Sequence, residues 1–321
     1  AVYRVDAGAD WSLLQLQSSL PNPSYLGLHP TQPVLYAVHG DCSEISTFAI
    51  DGNGLLEKLA EQKTWGINPV HLALTPCSRW LLVANYASGN LAVMRVGGDG
   101  TLGAVVQVLN LPRAQGPHVQ QEGSHPHQIC FSPDGRYAFV PDKGADTVFA
   151  LTVNQETGFL SIAASTQMPD GCGPRHMVFH PRQPMVYIVG ELDRTVTAAC
   201  YDAASGDLTT ISKRSTVPDV VEGSAAGIVL SQDATKLFVS NRGHDSVVQF
   251  PVAPNGNLGA PSWVAAGKTP RFITQFPAGG PLLVAREDDH SIAALLDAPL
   301  AFTDLVQTGS PVCIVFKQGN P

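Results

Sequence analysis

Seven copies of one short pattern run through this chain of 321 residues: NPSYLGLHP from Asn22, NPVHLALTP from Asn68, HPHQICFSP from His125, GPRHMVFHP from Gly173, SAAGIVLSQ from Ser224, TPRFITQFP from Thr269 and SPVCIVFKQ from Ser310. Their anchor residues, Pro23, Pro69, Pro126, Pro174, Ala225, Pro270 and Pro311, lie 41 to 57 residues apart. Self-similarity at such a period is the mark of a repeat architecture, and it limits the fold more than any other feature. Five copies carry a second proline seven residues on (Pro30, Pro76, Pro133, Pro181, Pro277), followed by turn residues. A second apolar run comes next (PVLYAV, RWLLVA, RYAFVP, PMVYIV, KLFVS, PLLVA), then a polar turn, then a third run such as TVFALTV or VVQFPV. A G-x-L element opens a fourth, as in GTLGAVVQV and GDLTTIS.

Four short strands per repeat predict an all-β chain, a seven-bladed β-propeller of four-stranded antiparallel blades, folded as a single domain over residues 1–321. The C-terminal SPVCIVFKQ supplies only a first strand, whereas the N-terminal AVYRV aligns with the third-strand run LAVMRV. The expected last blade is therefore closed by the N- and C-terminal segments together, and it lacks a second strand. Either that blade is three-stranded or a short stretch precedes Ala1.

Composition agrees with many strands and tight turns: 30 Gly, 25 Pro, and only 14% charged residues against 44% hydrophobic. Helical bundles and disordered chains have the opposite balance. The formal charge of −8 and the absence of basic runs exclude general affinity for nucleic acid or an anionic membrane surface. The six cysteines are widely spaced with no CxxC pair, the pattern of reduced thiols in a cytoplasmic protein. No CxxC or HExxH offers a metal site, and no P-loop or GxSxG elbow is present. Neither a metal nor a cofactor is expected. The acidic run Glu287-Asp288-Asp289 reads as a solvated turn in preference to a calcium site.

The repeat also serves as an internal alignment. The residue after each anchor is Ser24, Val70, His127, Arg175, Ala226, Arg271 and Val312. Seventeen after the anchor stand Gly40, Tyr86, Lys143, Glu191, Arg242 and Glu287, preceded by His39, Asn85, Asp142, Gly190, Asn241 and Arg286. Polar groups at the ends of apolar strands form the kind of convergent cluster expected at a small-molecule site. His127, Glu191, Arg175 and Arg242 are the candidate catalytic residues. Arg271, Lys143, His176, Asn85, His39 and Arg286 are candidate substrate-binding neighbours. A carboxylate among arginines can orient or deprotonate water, an imidazole can carry a proton either way, and a guanidinium fork suits a carboxylate, a phosphate or a growing oxyanion. The twelve-residue insertion RAQGPHVQQEGS (Arg113 to Ser124) is a surface loop that could overhang the site.

The segments GSHPHQ, GPRH, VGEL and SNRGHDS, in this order and register, resemble the lactonase family of seven-bladed propellers that contains bacterial 6-phosphogluconolactonase and fungal carboxy-cis,cis-muconate cyclase. The resemblance runs from about Asn22 to the C-terminus. It implies a site histidine at His127, arginines at Arg175 and Arg242, and a glutamate at Glu191. The activity it implies is metal-independent opening of 6-phosphogluconolactone or a related sugar-acid lactone. In that chemistry Glu191 or His127 activates water, Arg175 stabilises the oxyanion and Arg242 holds the anionic group. Two alternatives stay open: lactonisation of a muconate, and a non-catalytic binding scaffold in which His127 ties a loop and Arg175–Glu191 is a structural ion pair. The expected partner is a small anionic lactone, and the chain is expected to be a monomer or a weak homo-oligomer.

Overall fold

The computed structural model describes residues 1–5, 11–218, 221–297 and 300–317. Strands β1 (Val2–Val5) and β2 (Trp11–Gln15) pair in a two-stranded sheet. Six four-stranded sheets follow, each antiparallel between sequence neighbours. The first holds β3 (Pro23–Leu28), β4 (Val34–His39), β5 (Glu44–Ile50) and β6 (Leu56–Lys63). The second holds β7 (Pro69–Leu74), β8 (Trp80–Asn85), β9 (Asn90–Val96) and β10 (Leu102–Asn110). The third holds β11 (Cys130–Phe131), β12 (Tyr137–Asp142), β13 (Thr147–Val153) and β14 (Leu160–Gln167). The fourth holds β15 (Pro174–Phe179), β16 (Met185–Gly190), β17 (Thr195–Tyr201) and β18 (Leu208–Ser215). The fifth holds β19 (Ser224–Leu230), β20 (Lys236–Arg242), β21 (Ser246–Pro251) and β22 (Ser262–Ala265). The sixth holds β23 (Pro270–Gln275), β24 (Leu282–Arg286), β25 (Ser291–Asp297) and β26 (Leu300–Gln307).

The chain forms two compact units, one containing Ala1–Ala145 and Phe149–Ser165, the other Asp146–Val148 and Thr166–Phe316. In the first, Tyr36, Val38, Leu81, Val83 and Met94 make one core cluster and Leu82, Leu91, Val140 and Leu151 another. In the second, Tyr187, Val189, Val239 and Phe250 make one cluster and Ile273, Val284 and Ala293 another. Second strands such as β4, β8, β12 and β16 are buried on both faces, which is why they read as unbroken apolar runs. Fourth strands such as β6 and β10 alternate or lie exposed, and they carry the polar residues.

One register repeats. Each anchor pairs with the residue sixteen further on: Pro23 with His39, Pro69 with Asn85, Pro126 with Asp142, Pro174 with Gly190, Ala225 with Asn241 and Pro270 with Arg286. In five sheets the next step is a bulge, with one extra residue on the first strand. In four of these the extra residue is the one after the anchor, so Arg175 and Arg271 sit on bulges, where a side chain is turned out of the regular alternation. The residue at +17 then donates its N–H to the carbonyl just before the anchor, from Gly40, Tyr86, Lys143, Glu191 and Glu287 at 2.8–3.0 Å.

The turn after the first strand is capped from position +6. Gln32 and Thr31 donate to His29 Nδ1, Trp80 to Thr75, Tyr137 to Ser132, Arg182 to His180 Nδ1 and Lys236 to Ser231. Neighbouring fourth strands are clasped by glutamines. Gln62 donates to the Leu102 carbonyl at 2.7 Å, and Gln107 exchanges two hydrogen bonds with the backbone of Leu160. Gln15 of β2 makes the same exchange with Leu56. The β1–β2 pair thus stands toward β6 as a fourth strand stands toward the next.

Closure of a last blade by both ends of the chain is not shown in the described residues. Residues 311–317 form no strand, and no four-stranded sheet contains both ends of the chain among the described residues.

Candidate active site

In the second unit, Arg175, Glu191 and Arg242 come together. Arg175 projects from the β15 bulge, and its Nε lies 2.7 Å from Glu191 Oε2. Arg242 Nη2, at the end of β20, lies 3.3 Å from the other oxygen, Oε1. Arg175 Nη1 donates to the Ala226 carbonyl at 2.8 Å and touches His176 Nε2 at 3.3 Å. Glu191 is fixed by its backbone too: its N–H reaches the Gly173 carbonyl and its carbonyl accepts from Ala225. Arg175 and Glu191 are buried, while Arg242 is only partly covered. Burial pushes the Arg175 guanidinium down to about 9, with Glu191 holding it up and Arg242 and Arg271 adding to the fall. It remains a cation at neutral pH.

The neighbouring position on the strand does something different. His39 is fully buried with Nδ1 at 2.7 Å from the Pro21 carbonyl and Nε2 at 2.8 Å from Ser46. Asn85 accepts from Thr64 and donates to Asn90, and Asn241 is held in the same way by Thr216 and Ser246. Arg286 binds the Ala266 carbonyl and Asp304. Of the predicted substrate-binding neighbours, His39, Asn85 and Arg286 are therefore engaged in bracing strand ends. At Gly190 of β16 a Cβ would lie 2.7 Å from Cys172 Sγ, so glycine leaves room for the thiol.

In the first unit a group forms around Tyr86. His125 stacks on its ring at 4.4 Å and 10°, His127 meets it edge-on at 5.6 Å and 79°, and Lys143 Nζ stands 5.7 Å from its centroid. Each of these three basic residues is buried. His125 Nδ1 bonds the Tyr86 carbonyl at 2.9 Å, and its N–H donates to Asp142 Oδ1. Asp142 also accepts from Ser124, Gly144 and Ala145; burial raises its carboxyl pKa while these donors oppose the rise. The insertion ending at Ser124 is tied down: Gln121 donates to the Lys143 carbonyl at 2.8 Å, and Lys143 Nζ donates to Gln120 at 2.7 Å. Tyr86 and the two glutamines were not among the sequence candidates. The signal that could have found Tyr86 is its +17 position, shared with Lys143 and Glu191.

Among the described residues no group of three His, Cys, Asp or Glu side chains is placed to hold a metal ion, and no helix is long and apolar enough to cross a membrane.

The family described as lactonase, 7-bladed beta-propeller matches residues 2–316. The chain belongs to this family. Its four-stranded sheets are the blades of an all-β propeller, and six are formed in the described residues. This lactonase-family chain is 31% identical to the 6-phosphogluconolactonase of Bacillus subtilis over 285 residues, which cover 87% of the chain and 81% of the relative. It is also similar to the solved structure of the periplasmic gluconolactonase PpgL of Pseudomonas aeruginosa, with TM-score 0.83 and 31% identity over 96% of this chain and 92% of that one. A solved protein from Lactobacillus plantarum aligns with TM-score 0.88 and 28% identity, over 97% and 93% of the two chains.

Proposed function

We propose that the chain is a metal-independent lactonase acting on 6-phosphogluconolactone or a closely related sugar-acid lactone. The observation that carries this reading is Glu191 held between Arg175 and Arg242. Family membership and the likeness to the Bacillus subtilis 6-phosphogluconolactonase support the reaction class.

The geometry suggests a division of labour that differs from the one expected from residue types. Arg175 is spent on Glu191 Oε2 and the Ala226 carbonyl, so it positions the carboxylate. Glu191 Oε1 lies 3.3 Å from Arg242 Nη2 and is the oxygen that would take a proton from water. The water oxygen attacks the lactone carbonyl carbon, and the more exposed Arg242 stabilises the negative charge that grows on the carbonyl oxygen. The ring C–O bond then breaks, and the proton taken by Glu191 passes to the departing alkoxide, giving the open hydroxy acid. His127 is the other candidate base. All six cysteines are unpaired, which suits a reducing compartment, and the cytoplasm is the proposed site of action.

The test is a hydrolysis panel of 6-phosphogluconolactone, gluconolactone and a carboxy-cis,cis-muconate, run with excess chelator and corrected for spontaneous opening. Lactone hydrolysis that survives the chelator, and falls about a hundredfold in Glu191→Gln, is expected for loss of a general base. No lactone turnover, or lactonisation of the muconate in its place, overturns the reading. His127→Ala is run beside it, and a comparable loss makes His127 a second proton carrier.

A further inference from the structure

The Arg175–Glu191 pair has a second copy two sheets further along the chain. Arg271 is the bulge residue of β23, Glu287 follows the end of β24, and Arg271 Nη1 lies 3.3 Å from Glu287 Oε2. The copies occupy the same two repeat positions but differ in exposure. The side chains of Arg175 and Glu191 are 4% and 8% exposed, and those of Arg271 and Glu287 are 35% and 27%. β15, β19 and β23 lie side by side in that order, and Arg242 belongs to the sheet between the two pairs. Arg242 and Arg271 both make Arg175 easier to deprotonate, so the three guanidiniums share one neighbourhood with two carboxylates.

A buried pair is committed to itself, because either charge alone would lack solvent. A half-buried pair at 3.3 Å is more weakly coupled than the buried one and longer than a good charge-assisted hydrogen bond, so an incoming anion can exchange with the carboxylate. We propose that Arg271–Glu287 is the specificity-determining pair of the lactonase site: Arg271 receives the phosphate of a phosphorylated sugar lactone, and Glu287 competes with that phosphate for it. The planar fork of Arg271 matches two phosphate oxygens, and Glu287, once released, turns to solvent. This inference rests on the lactonase reading and adds to it the residue pair that reads the substrate's phosphate.

The experiment measures the ratio of KM for 6-phosphogluconolactone to KM for gluconolactone. Arg271→Gln is expected to raise this ratio about tenfold, the loss of one charge-assisted contact, and Arg271→Lys to restore part of it. Glu287→Gln is expected to lower the ratio several-fold by freeing Arg271. A ratio unchanged in Arg271→Gln and Glu287→Gln, or moved in the same direction by both, overturns the proposal. Calorimetric titration with 6-phosphogluconate and with gluconate separates the two readings. A preference for the phosphorylated acid that disappears in Arg271→Gln upholds the pair even in a protein that opens neither lactone. No such preference in the wild type overturns it.

Discussion

Glu191 is the residue on which stability and the proposed chemistry meet. It neutralises Arg175, a guanidinium almost without solvent, and offers its other oxygen to Arg242. Breaking a buried pair from one side strands the remaining charge, at a cost of roughly 3–5 kcal/mol. Glu191→Gln is therefore expected to lower the urea midpoint as well as turnover, so activity must be normalised to folded protein. Adding Arg175→Met to that variant should return part of the lost stability, because the stranded cation is gone. Unfolding curves of the single and double variants check this, and a double variant less stable than Glu191→Gln would contradict it. The pairing itself was half legible in the sequence. Repeat register put Arg175 and Glu191 at neighbouring strand ends, but it gave no means to tell a buried copy from the half-buried Arg271–Glu287 copy. Exposure depends on what the adjoining sheet presents, which a single repeat does not contain.

At the scale of strands and turns, the repeat was readable as far as the chain's own periodicity reaches. In the six blades that are formed, anchor, first turn and second strand fall where the alignment placed them, and four G-x-L starts do so too, as Leu56, Leu102, Leu160 and Leu208 at the heads of β6, β10, β14 and β18, while Leu258 of GNL lies ahead of β22. Positions +16 and +17 stand side by side in the sequence and read alike as site positions, yet successive residues of a strand point to opposite faces. His39, Asn85 and Asn241 at +16 became braces while Tyr86, Lys143 and Glu191 at +17 took part in the polar clusters. The bulge after each anchor was invisible, because no residue type demands it. Two of the +6 turn caps are histidines, and their role is pH-sensitive. His29 and His180 accept backbone N–H groups through Nδ1, and burial lowers the pKa of both below the ordinary histidine value. Between that lowered value and 6.5 the unfolded chain binds more protons than the folded one, so stability present above this window is lost as pH falls through it. A His29→Asn/His180→Asn variant should show a shallower decline in unfolding free energy from about pH 7 to pH 5, at most ~1.4 kcal/mol per pH unit less steep for each histidine removed. An unchanged slope would assign the acid sensitivity to other groups. The 113–124 insertion offers a second test at this scale. A Cβ on Gly144 would sit 1.6 Å from the Gly123 carbonyl oxygen, an overlap that only movement of backbone can relieve. Gly144→Ala should loosen Gln120 and Gln121 from Lys143, and limited proteolysis should then cut within the insertion before it cuts elsewhere.

For the molecule as a whole, the deciding quantity is charge. The chain carries −8 at neutral pH, yet the proposed substrate is itself an anion, so the long-range field opposes the encounter that Arg242 and Arg271 favour at contact. Screening separates the two effects because their ranges differ. At about 0.15 M salt the Debye length is near 8 Å, short enough to erase repulsion from distant carboxylates, while partly buried guanidiniums in direct contact with a phosphate are screened much less. Raising salt from about 20 mM to about 200 mM should therefore leave kcat/KM for 6-phosphogluconolactone level or increase it. Gluconolactone, being neutral, should respond little and serves as the control for effects on the protein itself. A steep fall confined to the phosphorylated lactone would mean that a positive field reaching well beyond the arginines governs capture, and the contact-range account of selectivity would have to give way.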